Sequence, residues 1–200
     1  IQMMRKKPML AYPVSTKPID YNKPVFIQPK LDGVRCVIQA NPEEGEIVAY
    51  SRTGKEWKNI DHILRELIPF FEKYPNVILD GELYNHDFKD DFESIISMVR
   101  KTKPDAWARQ ESKLCVQFHC YDIIDEIKTF EERDKFIAQA IPSNYCIRHV
   151  DTNQVFSENG AKSMHETNLS DGYEGSIVRT NDVYKCGRSW SLRKFKDFHD

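Results

Sequence analysis

Residues 27–36 read Ile27-Gln28-Pro29-Lys30-Leu31-Asp32-Gly33-Val34-Arg35-Cys36, and the rest of the chain is organised around this decapeptide. Residues 25–28 are extended and apolar and Pro29 stops them. Val34, Cys36 and Ile38 then alternate with Arg35 and Val37 as a half-buried strand does. The pattern puts Lys30 on a loop at a sheet edge. An amine attacks phosphorus only when deprotonated, a form that neighbouring cations or desolvation favour. Arg35, beyond the Gly33 bend, supplies either such a cation or a phosphate clamp. On spacing alone a plainer reading is stronger, in which Asp32-Gly33 is a hairpin turn and Lys30 its solvated flank.

Composition narrows the classes. Two hundred residues, 40% apolar and 12% aromatic, suffice for one sizeable core and a single domain. A net charge of −2 excludes a global electrostatic pull on nucleic acid, so any such contact must be a local basic patch. Cys36, Cys115, Cys120, Cys146 and Cys186 are odd in number, form no Cys-x-x-Cys pair and read as reduced core residues. If residues 114–124 are one strand, Cys115 and His119 share a face that Cys120 does not, which argues against a zinc cluster. No apolar stretch reaches membrane-spanning length and no signal peptide opens the chain. The expectation is a soluble, intracellular monomer of the cytoplasm, nucleus or virus-infected cell.

Residues 1–24, with Pro8, Pro13, Pro18 and Pro24 among lysines, form an extended strap whose cations either touch a phosphate backbone or are simply solvated. Residues 34–40 and 47–52 make a hairpin, and residues 61–73 a helix that Pro69 kinks or shortens. Residues 77–84 are a buried strand; Phe92, Ile95, Ile96 and Val99 mark a helix. Trp107 falls in a polar loop, as a satellite hydrophobic contact. Thr129-Phe130-Glu131-Glu132 is a capping box opening a helix to about residue 140, followed by a strand at 145–150 and a weak helix at 157–168.

The groups that carry chemistry come in a fixed order. After Lys30-x-Asp32-Gly33-x-Arg35 follow Ser51-Arg52-Thr53-Gly54, Asp80-Gly81-Glu82-Leu83 and Tyr121-Asp122-Ile123. Glu174-Gly175-Ser176-Ile177-Val178-Arg179 and Leu192-Arg193-Lys194-Phe195-Lys196 complete the series. Each has a plain alternative. Arg52 alone is an exposed strand end, Asp80 and Glu82 a turn cluster, Tyr121 a buried strand tyrosine, and Lys194 with Lys196 a solvated basic edge strand.

Together, across residues 28–196, these groups resemble the motifs of the covalent nucleotidyltransferases: ATP-dependent DNA ligases, RNA ligases and mRNA capping enzymes. The resemblance is strongest to the adenylation domain of a small ATP-dependent DNA ligase. It implies an α+β nucleotidyltransferase (ATP-grasp-like ligase) fold, with two antiparallel-rich β-sheets flanked by helices and a nucleotide cleft between them. It also implies ATP and Mg²⁺ as cofactors, nicked duplex DNA as partner, and Lys30 as the nucleophile that carries AMP. Gln28, Pro29, Arg35, Glu82, Tyr121, Ile177, Lys194 and Lys196 would hold the nucleotide, with Glu82 at the ribose and the adenine between Tyr121 and Ile177. Arg52 would take the 5′-phosphate at the nick and Glu174 the metal. One placed carboxylate is chemically adequate for magnesium when substrate phosphates complete the shell. Strand alternation sends Leu192, Lys194 and Lys196 to one face, where two ammonium groups require an anion such as the α-phosphate.

Two departures matter. Many DNA ligases have glutamate where this chain has Gln28, which accepts through its amide oxygen without the charge, so purine choice stays open. A GTP-using capping enzyme and an RNA ligase are therefore alternatives, against which the Ser-Arg-Thr-Gly and Asp-Gly-x-Arg forms weigh. A silent nucleic-acid-binding module is another, against which intact Lys30, Glu82, Glu174, Lys194 and Lys196 weigh. The chain also begins at Ile1 and ends four residues after Lys196. The resemblance then implies a C-terminal OB-fold domain outside this sequence, and an isolated chain that self-adenylates slowly and seals nicks poorly.

Overall fold

The computed structural model describes residues 5–196, so the first four residues of the strap lie outside it. The strands are β1 Met9–Pro13, β2 Val25–Lys30, β3 Val34–Ala40, β4 Ile47–Tyr50, β5 Leu79–Tyr84, β6 Gln117–Ile123, β7 Ile147–His149, β8 Asn153–Val155, β9 Gly175–Thr180 and β10 Gly187–Phe195. The helices are α1 Asp61–Glu66, α2 Ile68–Lys73, α3 Phe92–Val99, α4 Ala106–Cys115, α5 Phe130–Ala140 and α6 Glu158–Ser170. Two five-stranded sheets result, ordered β1-β10-β9-β2-β8 and β4-β3-β5-β6-β7. Each has one parallel pair, β1 with β10 and β6 with β7, and is otherwise antiparallel. This is the α+β, antiparallel-rich arrangement expected.

The decapeptide joins the two sheets. β2 and β3 are consecutive in sequence yet lie in different sheets, so Asp32-Gly33 is a crossover and not a hairpin turn. Gly33 is required there, because a Cβ would collide with the Leu83 carbonyl and crowd the Glu82 side chain. Nor does Pro29 stop the strand. β2 continues through Pro29 and Lys30, opposite Ser176 and Gly175 of β9. β8 flanks only Val25–Ile27, so beyond it β2 has a strand partner on one side only, where a missing N–H is tolerated. Lys30 is therefore the last residue of a strand, paired with Gly175 on one side, rather than a loop residue.

Each sheet buries its outer face under helices. Cys36, Ile38, Leu79, Leu83 and Phe118 pack on residues of α1, α2, α3 and α5, while Val25, Ile27, Val178 and Phe195 pack on Ala161 and Met164 of α6. With a side-chain period of two, the alternate residues face the other sheet. The registers Gln28–Ile177–Lys194 and Arg35–Glu82–His119 bring those rows together across each inner face. Met9, Val37, Ile124, Tyr184 and Leu192 close the sheets on one another at one end. Leu192 and Phe195 thus point to opposite faces as the alternation required, and β10 is an interior strand, not an edge.

The chain departs from expectation twice around α4. The run 114–124 is not one strand: Leu114 and Cys115 finish α4, so Cys115 does not share a strand face with His119. Trp107 lies on α4 rather than in a loop and is 75% exposed. α4 has no large apolar period in the sequence because its buried positions are the small Ala108 and Ser112, although Asp105 caps it by accepting from the Ala108 N–H. Pro69, in contrast, acts as foreseen, sitting in the first turn of α2 with Leu67 as the break from α1.

Candidate active site

A cleft of about 450 Å³ opens between the inner faces. Pro29, Lys30, Arg35, Arg52, Glu82, Tyr121, Ile177 and Lys194 line it; Gln28, Glu174 and Lys196 do not. At one wall, pairing of Lys30 with Gly175 brings the preceding Glu174 alongside it. Glu174 Oε1 accepts from Lys30 Nζ at 3.3 Å and from Lys196 Nζ at 3.2 Å. Burial pushes the Glu174 carboxyl up, but Lys30 and Lys196 outweigh it and hold it below the usual carboxylate range. Asp32 stands beside it and is pushed up, first by burial and then by the Glu174 charge. Two adjacent carboxylates of this kind suit a hard cation whose shell phosphates and water complete. Among the described residues no group of three or more His, Cys, Asp or Glu is assembled to hold a metal alone.

The opposite wall is β5 and β6. The Tyr121 hydroxyl donates to Glu82 Oε1 at 2.9 Å. Burial pushes the Glu82 carboxyl up to about 7, opposed by Arg35, Tyr121 and Lys30. Arg35 is not a phosphate clamp in this structure. Its fork donates to Asp80 through Nε and Nη2, each at 2.7 Å, and Nη2 also donates to the Met9 carbonyl at 2.8 Å. Asp80 is fully buried and accepts from the Tyr184 hydroxyl at 2.7 Å as well. Held this way, Arg35 lies 5.4 Å from the Tyr121 ring centre and fixes the ring's position.

Behind Tyr121 runs a second buried network. Arg133 Nε donates to Asp122 Oδ1 at 2.7 Å and Arg179 Nη1 to Asp122 Oδ2 at 2.6 Å. Arg179 Nε donates to Gln28 Oε1 at 2.7 Å, and Gln28 Nε2 donates to Thr152 Oγ1 at 2.9 Å and the Tyr121 carbonyl at 3.2 Å. Gln28 is 1% exposed. It does not reach into the cleft as the sequence reading required, because its oxygen and its nitrogen are both bonded within the protein. Arg179 was visible as the end of the Glu-Gly-x-x-x-Arg pattern but had no assigned partner. Arg133 carried no signal, since a charged residue in the first turn of a helix reads as solvated.

Arg52 occupies the turn after β4, where the Gly54 N–H donates to the Ser51 carbonyl at 3.0 Å. It is exposed at the mouth of the cleft and makes no ion pair among the described residues. Lys194 stands directly opposite Ile177 on the same face.

The family profile described as "ATP dependent DNA ligase domain" matches residues 8–196. A DNA ligase of African swine fever virus is 28% identical over 175 residues, covering 81% of this chain and 38% of its own length. The Chlorella virus DNA ligase-adenylate superposes with a TM-score of 0.70 at 23% identity, over 96% of this chain and 67% of that one. The ATP-dependent DNA ligase of bacteriophage T7, solved with ATP, gives 0.74 at 19% identity, over 95% of this chain and 68% of that one. The chain spans less than half the length of the curated relatives it matches. The solved structures share its fold.

Proposed function

The chain belongs to the ATP-dependent DNA ligase domain family, and from that premise we propose that it is the nucleotidyl-transferring part of a DNA ligase. Lys30 Nζ attacks the α-phosphorus of ATP, pyrophosphate leaves, and AMP stays on Lys30 through a phosphoramidate bond. The observation that carries this reading is one cleft lined by Lys30, Tyr121 and Glu82, in which Lys30 is paired with Glu174 behind it and Tyr121 with Glu82. Tyr121 and Ile177 offer a flat and an apolar face to a purine. Glu82 is the hydrogen-bonding partner for ribose hydroxyls, and Lys194 with Lys196 oppose phosphate charge. Glu174 Oε1, at 3.3 Å, is the acceptor within reach of the proton that Lys30 must lose.

The adjacent Glu174 and Asp32 fit magnesium, which supplies positive charge against the triphosphate when bound. Arg52, permanently charged and facing the cleft mouth, takes the 5′-phosphate of a nicked duplex. AMP moves from Lys30 to that phosphate, and the 3′-hydroxyl displaces it to form the phosphodiester.

Transfer tests the ligase reading. Protein charged with nucleotide is mixed with nicked DNA bearing either a 5′-phosphate or a 5′-hydroxyl. Discharge of Lys30 onto the phosphorylated nick alone is expected. Discharge onto a diphosphate-ended RNA instead would favour capping, and discharge onto neither substrate would contradict the proposal.

A further inference from the structure

The segment before β1 has a regular alternation. Lys6 Nζ turns one way and pairs with Glu126 at 2.8 Å. Arg5 and Lys7 are exposed and, with Arg52, Thr53 and Gly187, border a second cavity of about 290 Å³. The Arg5 guanidinium packs on Gly54, whose φ is +97°, so tightly that a Cβ there would collide with it. The Gly187 N–H donates to the Pro8 carbonyl at 3.1 Å and ties the segment to the start of β10.

Among the described residues three cations therefore edge one small cavity, and no carboxylate lines it. None of the three makes an ion pair among the described residues. Clustered like charges raise one another's energy unless an anion joins them, so the arrangement favours a polyanion. The cavity shares Leu10 and Arg52 with the nucleotide cleft but not Lys30, which places it on the far side of Arg52 from the nucleophile.

We propose that Arg5 and Lys7 form with Arg52 a phosphate-gripping strap for the first internal phosphates of the strand whose 5′-phosphate Arg52 receives. The proposal rests on the DNA-ligase reading. A strand held at its 5′ end by Arg52 and running away from Lys30 then crosses the strap cavity, which borders Arg52 and not Lys30. The contact is to backbone phosphate, so it adds affinity and register without base preference.

The test is equilibrium binding of a nicked duplex over a series of salt concentrations, using the wild type, Arg5→Ala/Lys7→Ala and Arg5→Lys/Lys7→Arg. Each phosphate contact contributes roughly 0.9 to the slope of log affinity against log salt, so the alanine pair should lower it by about 1.8. Affinity in ~0.1 M salt should fall by something on the order of 60-fold. The charge-conserving pair should keep the slope, which a merely structural role would not demand. Methylphosphonates at the first two internal linkages of the 5′-phosphate strand should lower the wild-type slope and leave that of the alanine pair unchanged.

An unchanged slope in an alanine pair that melts with the wild type would overturn the strap. Sensitivity only to methylphosphonates on the 3′-hydroxyl strand would overturn its strand assignment. Failure of the ligase reading shows separately, as wild type that takes no nucleotide onto Lys30.

Discussion

Asp122→Asn should be among the most destabilising isosteric changes available in this chain. The Asp122 carboxylate is fully buried between two guanidiniums whose side chains are 1% and 3% exposed. Asparagine keeps the volume but removes the charge and offers only one acceptor oxygen. Arg133 and Arg179 are then left facing each other in a dry layer. Breaking a buried pair by removing one partner costs about 3–5 kcal/mol. At roughly 2–4 °C per kcal/mol for a chain of this size, the melting temperature should fall by about 10 °C. Arg133→Met in the Asp122→Asn background should cost at least ~1.5 kcal/mol less than in the wild type, because the charge it removes is already uncompensated. Thermal unfolding by circular dichroism of the wild type, both single variants and the double variant measures both quantities. A fall of less than about 3 °C, with the two changes additive, would refute the claim that the inter-sheet charge network holds this region together.

Four further outcomes are expected. Burial raises the Glu82 carboxyl from its ordinary 4.5 to about 7, so its contribution to stability is present below pH 4.5 and lost as pH rises through 7. The melting advantage of Glu82→Gln over the wild type should therefore widen between pH 5 and pH 8, and a constant difference across that range would count against the burial argument. Gly33→Ala forces a Cβ into the Leu83 carbonyl at the crossover and should cost ~2 kcal/mol or more in urea unfolding. Thr129→Ala removes the capping box of α5 and should cost about 1 kcal/mol while nucleotide transfer to Lys30 is retained. Glu174→Gln, which removes the carboxylate between Lys30 and Lys196, should slow formation of the covalent nucleotide by roughly 10²-fold or more in single-turnover assays.

What the sequence reveals divides along physical lines. Groups contiguous in the chain and tied to one local geometry were readable. The Thr129 capping box, the Pro69 break and the face shared by Leu192 and Lys194 each follow from short-range rules and were found as expected. Long-range partners were not. Lys30 was picked out by its pattern, yet its place at the end of a strand depends on β9, which arrives 145 residues later. Arg35 reads from its spacing as a cation beside Lys30 or a phosphate clamp, because Asp80 and Tyr184, which fix it, come from a distant strand and loop. Gln28 reads as a ligand contact for the same reason, since Arg179 and Thr152 engage it only in the folded chain. α4 was lost to a different cause, in that a helix that buries Ala108 and Ser112 leaves no large apolar period to detect.

All of the proposed chemistry depends on Lys30 being the nucleophile. The direct measurement is intact-protein mass after incubation with magnesium and either ATP or GTP, on protein first treated with pyrophosphate to remove any existing adduct, alongside Lys30→Ala. The expected result is an AMP adduct that requires ATP, resides on the peptide containing Lys30 and is absent from the variant. An adduct that persists in Lys30→Ala, or one formed from GTP and not from ATP, would contradict it.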